Sequence, residues 1–316
     1  MISDAEVLVT RLRPARWAAA TALAVAAVLV SSTPVSAEPE PRSYTEPPFA
    51  RYVALGDSYS AGPLIPVQTG EPTGCLRSTG NFPSLVAKTL GVAGFTDVSC
   101  SGATTDDFTA PQPVPLGANP PQFDALEADA DLVTLTIGGN DIGFASIIQE
   151  CATRSPREPL GAACRDFYTA GGTDELAARI EATAPKVAAA LAEITERAPH
   201  ARTLLVGYPA LLPDSGPGCF PVVPFSAGDV AYLRATEKRL NAMLAAQARK
   251  AGVDYVDTYT PTIGHDMCAP PGTKWIEGLV PTAPAAPAHP NALGMASMAA
   301  SVVGTLSDAT VLTPAS

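Results

Sequence analysis

Tyr52-Val53-Ala54-Leu55-Gly56-Asp57-Ser58 is the stretch that decides how this chain is read. An apolar run closed by glycine describes a strand covered on both faces, as in a parallel sheet flanked by helices. A serine just past the carboxyl end of such a strand sits where open α/β sheets place their ligand clefts. The chain has only 3 histidines, and one of them, His289, stands near the far end in Ala288-His289-Pro290-Asn291. An early serine and a late histidine form a candidate nucleophile and base.

Outward from that stretch, further short apolar runs follow at Phe95–Ser99, Leu132–Ile137, Thr203–Val206 and Val253–Val256. Helical periodicity fills most of the gaps. In Thr173–Arg197, Leu176, Ile180, Val187, Leu191 and Ile194 share one face, with acidic residues in the first turn and Arg197 in the last, and Pro185 predicts a kink. Pro224–Lys250 repeats the pattern through Val230, Leu233, Leu240 and Leu244, and a last helix is expected after His289, with Pro290 in its first turn, running to about Leu306. Strands alternating with helices predict one doubly wound α/β domain with a five-stranded parallel sheet in the order 2-1-3-4-5.

The ends of the chain read differently. Arg11, Arg13 and Arg16 precede an apolar stretch from Trp17 to Val30, and Val35-Ser36-Ala37 offers a small-residue cleavage site, so residues 1–37 are expected to be a secretory signal peptide. Residues 38–48 read as a Pro-rich tail, 49–308 as the domain and 309–316 as a C-terminal tail. The formal net charge is −11, and the leader carries +1 of it, leaving −12 on the exported chain. Such an acidic protein gains nothing from phosphate backbones, which argues against nucleic acid as a partner. No second apolar segment of spanning length follows the leader, so stable membrane insertion is not expected, and a monomer is. All 6 cysteines follow the leader, and in an exported chain they imply disulfides. Spacing does not select the pairing. The sequential scheme, Cys75–Cys100, Cys151–Cys164 and Cys219–Cys268, is the simplest and closes the shortest loops. With no Cys-x-x-Cys and no paired histidines, neither a metal nor a cofactor is expected.

Gly56-Asp57-Ser58 with Tyr59-Ser60-Ala61-Gly62, then Gly102, then Gly138-Gly139-Asn140-Asp141, then His289, resembles the four sequence blocks of the SGNH (GDSL-type) hydrolases, and the whole stretch from Tyr52 onward is similar to their secreted actinobacterial lipase and esterase branch. The resemblance implies a flavodoxin-like SGNH fold and a secreted carboxylic-ester hydrolase working through an acyl-serine intermediate on acylglycerols or short-to-medium acyl esters. A phospholipase, a sugar-acetyl esterase and a secreted binding protein without catalysis are the alternatives. By the same resemblance Ser58 is the nucleophile and His289 the base. Ser58 and Gly102 backbone amides and the Asn140 side chain form the oxyanion hole. Ser60 and Ser101 lie nearby, off the family position. Asp57 is too close in sequence to reach behind the histidine and is read as a loop-stabilising residue.

The chain departs from the family pattern at one place. Many members have an aspartate three residues before the histidine, where this chain has Ala286, and 283–288 holds no carboxylate. The main-chain carbonyl of Ala286 is therefore expected to orient His289, with Glu277 and Asp266 as alternative partners. His265, beside Asp266 and Cys268, is the competing histidine, and His200 reads as a solvated helix end. The absence of glycine two residues after Ser58 argues against the Gly-x-Ser-x-Gly elbow of the α/β-hydrolases.

Overall fold

A computed structural model of the chain describes residues 48–311, with only the backbone at 309–311. The expected signal peptide and nearly all of the Pro-rich tail lie outside the described residues.

Five parallel strands form the central sheet: β1 (Arg51–Gly56), β2 (Gly94–Asp97), β3 (Leu132–Thr136), β4 (Arg202–Val206) and β5 (Asp254–Val256). Their order is β2-β1-β3-β4-β5, the doubly wound arrangement read from the sequence. The central strands are buried on both faces, and even the Tyr52 hydroxyl is satisfied inside, 2.7 Å from Thr134 Oγ1. Edge strand β2 alternates in exposure instead. An additional two-stranded hairpin pairs Gln112–Val114 with Gly117–Asn119.

Helices α1 (Ser58–Ala61), α2 (Phe82–Leu90), α3 (Phe144–Arg154), α4 (Ala163–Thr169), α5 (Glu175–Arg197), α6 (Ala227–Ala251) and α7 (Ala292–Val311) complete the domain. The α5 helix packs against α6, and α2 against α7. The α5 stripe read from the sequence is buried, Asp174 caps the helix by accepting the Ala177 N–H at 3.0 Å, and the helix runs unbroken through Pro185. The last helix differs from expectation at both ends. Asn291 opens it in place of Pro290, its Oδ1 accepting the N–H groups of Leu293 and Gly294 at 3.0 and 3.2 Å. The helix continues past Asp308 to Val311, into the stretch read as a tail. Among the described residues no helix is long and apolar enough to cross a membrane.

Disulfides join Cys75 to Cys100, Cys151 to Cys164 and Cys219 to Cys268. The first ties the loop after α1 to the end of β2, and the second ties α3 to α4. The register of β1 against β3 matters most for function. It pairs Gly56 with Thr136, so the two strands end side by side and their following loops open into the same space.

Candidate active site

The turn after β1 is built to one shape. Gly56 has φ +130°, and a Cβ there would lie 2.6 Å from the Thr136 carbonyl oxygen and 2.7 Å from Ser60 Oγ, so only glycine fits. Buried Gln122 clamps it from the side, accepting the Gly56 N–H at 2.7 Å and donating to its carbonyl at 2.9 Å. Asp57 donates its N–H to the Thr136 carbonyl at 2.9 Å and caps α1 by accepting the Tyr59 N–H at 2.9 Å. Ser58 is thereby fixed as the first residue of a short buried helix, at the sheet's carboxyl edge.

His289 arrives from the loop before α7. Its Nε2 lies 2.7 Å from Ser58 Oγ, across 231 residues of sequence. Its Nδ1 lies 2.7 Å from the carbonyl oxygen of Pro287. Nδ1–H donating to that carbonyl leaves Nε2 free to accept the serine proton. The expectation for Ala286 is corrected here by one residue. The Ala286 carbonyl accepts the His289 backbone N–H at 3.2 Å, closing a tight turn, and the left-handed Ala288 (φ 58°) swings the ring onto Pro287 instead. That turn is anchored on both sides. Ala286 donates to the Pro63 carbonyl at 3.0 Å, and the Tyr59 hydroxyl donates to the Ala288 carbonyl at 2.7 Å. The Tyr59 ring lies 4.9 Å from the imidazole at 31°, and Phe144 meets it edge-on at 6.0 Å. Burial pushes the His289 pKa below its ordinary value, with the Pro287 carbonyl pulling the other way.

The remaining polar groups arrive from the neighbouring strand ends. Asn140, in the loop after β3, donates Nδ2 to the Ala103 carbonyl at 2.9 Å, which joins that loop to the one carrying Gly102. Gly102 has φ +84° with almost no atom near a hypothetical Cβ, so backbone conformation is what requires glycine there. Among the described residues, neither the Ser58 N–H nor the Gly102 N–H has a hydrogen-bond partner. Asp141 accepts the Thr105 N–H at 3.1 Å and its hydroxyl as well, securing the same pair of loops.

The carboxylates considered as partners for His289 are engaged elsewhere. Glu277 accepts from Thr282 N–H (2.7 Å), the Thr282 hydroxyl and Asn291 Nδ2 (2.8 Å), and Asp266 accepts the Cys268 N–H at 2.9 Å. His265 bonds through Nδ1 to the Thr273 carbonyl at 2.7 Å and stacks on Trp275 at 3.6 Å, so its ring braces that loop.

Sequence reading missed Tyr208. Its hydroxyl donates to Asp57 Oδ2 and accepts the Gly139 N–H at 2.8 Å, coupling the serine turn to the asparagine loop. Burial raises the Asp57 pKa from 3.8 to about 7, the Tyr208 and Tyr59 hydrogen bonds opposing it. Beside this network lies a narrow apolar cleft of about 60 Å³, bounded by Tyr59, Gly139, Phe144, Tyr208 and Leu240 among others.

A doubly wound sheet with a serine–imidazole pair at its carboxyl edge and free amide donors beside it defines a serine ester hydrolase of the SGNH type. The chain belongs to the GDSL-like lipase/acylhydrolase family, whose model matches residues 54–296. It is 43% identical over 284 residues to Lipase 2 of Streptomyces coelicolor, covering 89% of this chain and 93% of that protein. Among solved structures it is similar to phospholipase A1 from Streptomyces albidoflavus (TM-score 0.67, 26% identity) and to the extracellular lipase of Streptomyces rimosus (TM-score 0.66, 29% identity). Each comparison covers 82% of this chain and 99% of the other.

Proposed function

We propose that the protein is a secreted carboxylic-ester hydrolase acting on acylglycerols or short-to-medium acyl esters, with Ser58 as nucleophile and His289 as general base. The 2.7 Å contact between Ser58 Oγ and a His289 Nε2 whose other nitrogen is held by a carbonyl carries the reading. Ser58 Oγ attacks the ester carbonyl while Nε2 takes its proton, and the oxyanion forms against the Ser58 and Gly102 N–H groups and Asn140 Nδ2. The imidazolium returns the proton to the departing alkoxide. A water, deprotonated by the same nitrogen, then hydrolyses the acyl-serine and releases the acid. The acyl chain is assigned to the apolar cleft lined by Tyr59 and Phe144, the two rings that also flank His289. A leader with the features of a signal peptide, together with three disulfides, supports secretion. The likeness to a phospholipase A1 structure makes a glycerophospholipid the second substrate class to assay.

The test compares p-nitrophenyl ester turnover, and labelling by a serine-directed phosphonate, in the wild type and Ser58→Ala. Turnover and a covalent adduct at Ser58 are expected in the wild type, with both lost in the variant. Equal turnover in the two proteins refutes the nucleophile assignment, and a wild type without turnover or adduct is a binding protein.

A further inference from the structure

The α6 helix presents an apolar stripe of Val230, Leu233, Leu240 and Leu244 to the interior, and Glu237 falls within that stripe. It lines the cleft assigned above to the acyl chain, as do Leu233, Leu240 and Met267. The residue is only 8% exposed. Both carboxyl oxygens share a single donor, the Leu211 N–H, at 3.1 and 3.3 Å. Among the described residues Glu237 makes no ion pair. The nearest cations in sequence are engaged outside the cleft, Lys238 with Asp214 and Arg234 with the Pro213 carbonyl.

A carboxyl in an apolar wall is costly unless its hydrogen-bonding capacity is used, and a leucine or methionine would line an alkyl-only cleft at lower cost. Burial raises the pKa of this carboxyl well above the ordinary value, which favours its protonated form. A protonated carboxyl has one O–H to donate and spare lone pairs to accept. The Leu211 amide is itself a donor and uses only part of the accepting capacity, so the carboxyl keeps hydrogen-bonding capacity beside the cleft it lines.

We propose that Glu237 forms a polar subsite for a hydroxyl group carried on the acyl chain, so that the enzyme prefers esters of hydroxylated acyl groups over saturated ones of the same length. A hydroxyl is the matching group because it can donate to a carboxyl oxygen in either protonation form and can accept from the O–H of a protonated one. The inference rests on the reading that the cleft receives the acyl chain.

The decisive experiment is a positional series: p-nitrophenyl dodecanoate and its monohydroxylated analogues, the hydroxyl moved stepwise along the chain. At one position kcat/KM is expected to exceed that of the unsubstituted ester by about tenfold, the yield of one net buried hydrogen bond. At other positions it falls below, because the hydroxyl is desolvated without a partner. Glu237→Leu is expected to bring the ratio at the favoured position to about one or lower, whereas Glu237→Gln, which keeps a neutral donor and acceptor, retains a preference. A wild type in which no position beats the plain ester overturns the proposal even if neither variant folds, as does a preference that survives Glu237→Leu. Calorimetric titration with the corresponding free hydroxydodecanoates separates this from the proposed chemistry. Selective binding without turnover would refute the hydrolase reading alone, and turnover without selectivity would refute the subsite alone.

Discussion

Replacing Asp57 by asparagine isolates the most strongly perturbed carboxyl beside the candidate nucleophile. Asp57 is 1% exposed, and burial lifts its pKa from 3.8 to about 7. Between those values the folded protein keeps a proton that the unfolded chain has released. The unfolded state therefore binds fewer protons, and stability falls as pH rises through the window. The slope approaches about 1.4 kcal/mol per pH unit, which amounts to a loss on the order of 4 kcal/mol once the carboxyl is fully ionised. Asp57→Asn keeps an oxygen to accept the Tyr59 N–H and has no proton to lose. Urea unfolding of both proteins at about pH 4 and about pH 8 reads the effect directly. Relative to the wild type, the variant should gain stability on the order of 4 kcal/mol across that range. Other buried carboxyls, Asp97 and Glu237 among them, titrate in both proteins and cancel in the difference. A difference that stays constant to within about 0.5 kcal/mol would show that Asp57 is ionised in the fold throughout and would refute the reasoning.

Asn140→Ala is expected to lower kcat by roughly 10²–10³-fold, the usual effect of deleting one oxyanion donor, with a loss of only about 1 kcal/mol in urea unfolding for the bond to Ala103. Because burial depresses the His289 pKa, the acid limb of the kcat/KM–pH profile should have its midpoint below the ordinary histidine value of 6.5, and a midpoint above it would show that burial does not dominate the titration of the ring. Ala286→Asp restores the common family carboxylate beside a ring already held by Pro287. It should move that acid limb upward by favouring imidazolium while changing plateau kcat by less than about tenfold, and a larger rise would show that the carbonyl alone leaves the base poorly oriented.

The parts of the fold and site carried by contiguous residues were legible in the sequence. Tyr52–Leu55 announces a doubly buried strand by composition alone, and the alternation of apolar runs with helical stripes leads to the observed strand order. Ser58, Gly102, Asn140 and His289 stand in short blocks whose residue types have few other uses in that order. What escaped depends on angles or on distant partners. Choosing between the carbonyls of Ala286 and Pro287 requires the left-handed φ of Ala288, which no pattern for an alanine indicates. Tyr208 acts on Asp57 across 151 residues, and Gln122 on Gly56 across 66. Tyr208 did leave a trace, since Gly207-Tyr208-Pro209 follows β4 at the sheet edge where sites are built. So did Glu237, an acidic residue in step with an apolar stripe.

A carbonyl in place of a carboxylate behind the histidine fits the electrostatics of the whole centre. An aspartate there would orient the ring and stabilise imidazolium, but it would also put a fixed negative charge near the carbon where an oxyanion must form. In this chain the carboxyls beside the reacting groups and the cleft, Asp57 and Glu237, are buried where ionisation is disfavoured, and among the described residues neither makes an ion pair. Asp141 is bound to Thr105 and has Lys186 Nζ at 3.9 Å. Below about pH 7 the carboxyl next to the serine is thus mostly uncharged in a protein of net charge −11. On the proposed mechanism, an oxyanion formed against the Gly102, Asn140 and Ser58 N–H groups would then meet little opposing charge. Orientation is left to a neutral carbonyl and to the Tyr59–Ala288 bond, which hold the imidazole without charging it.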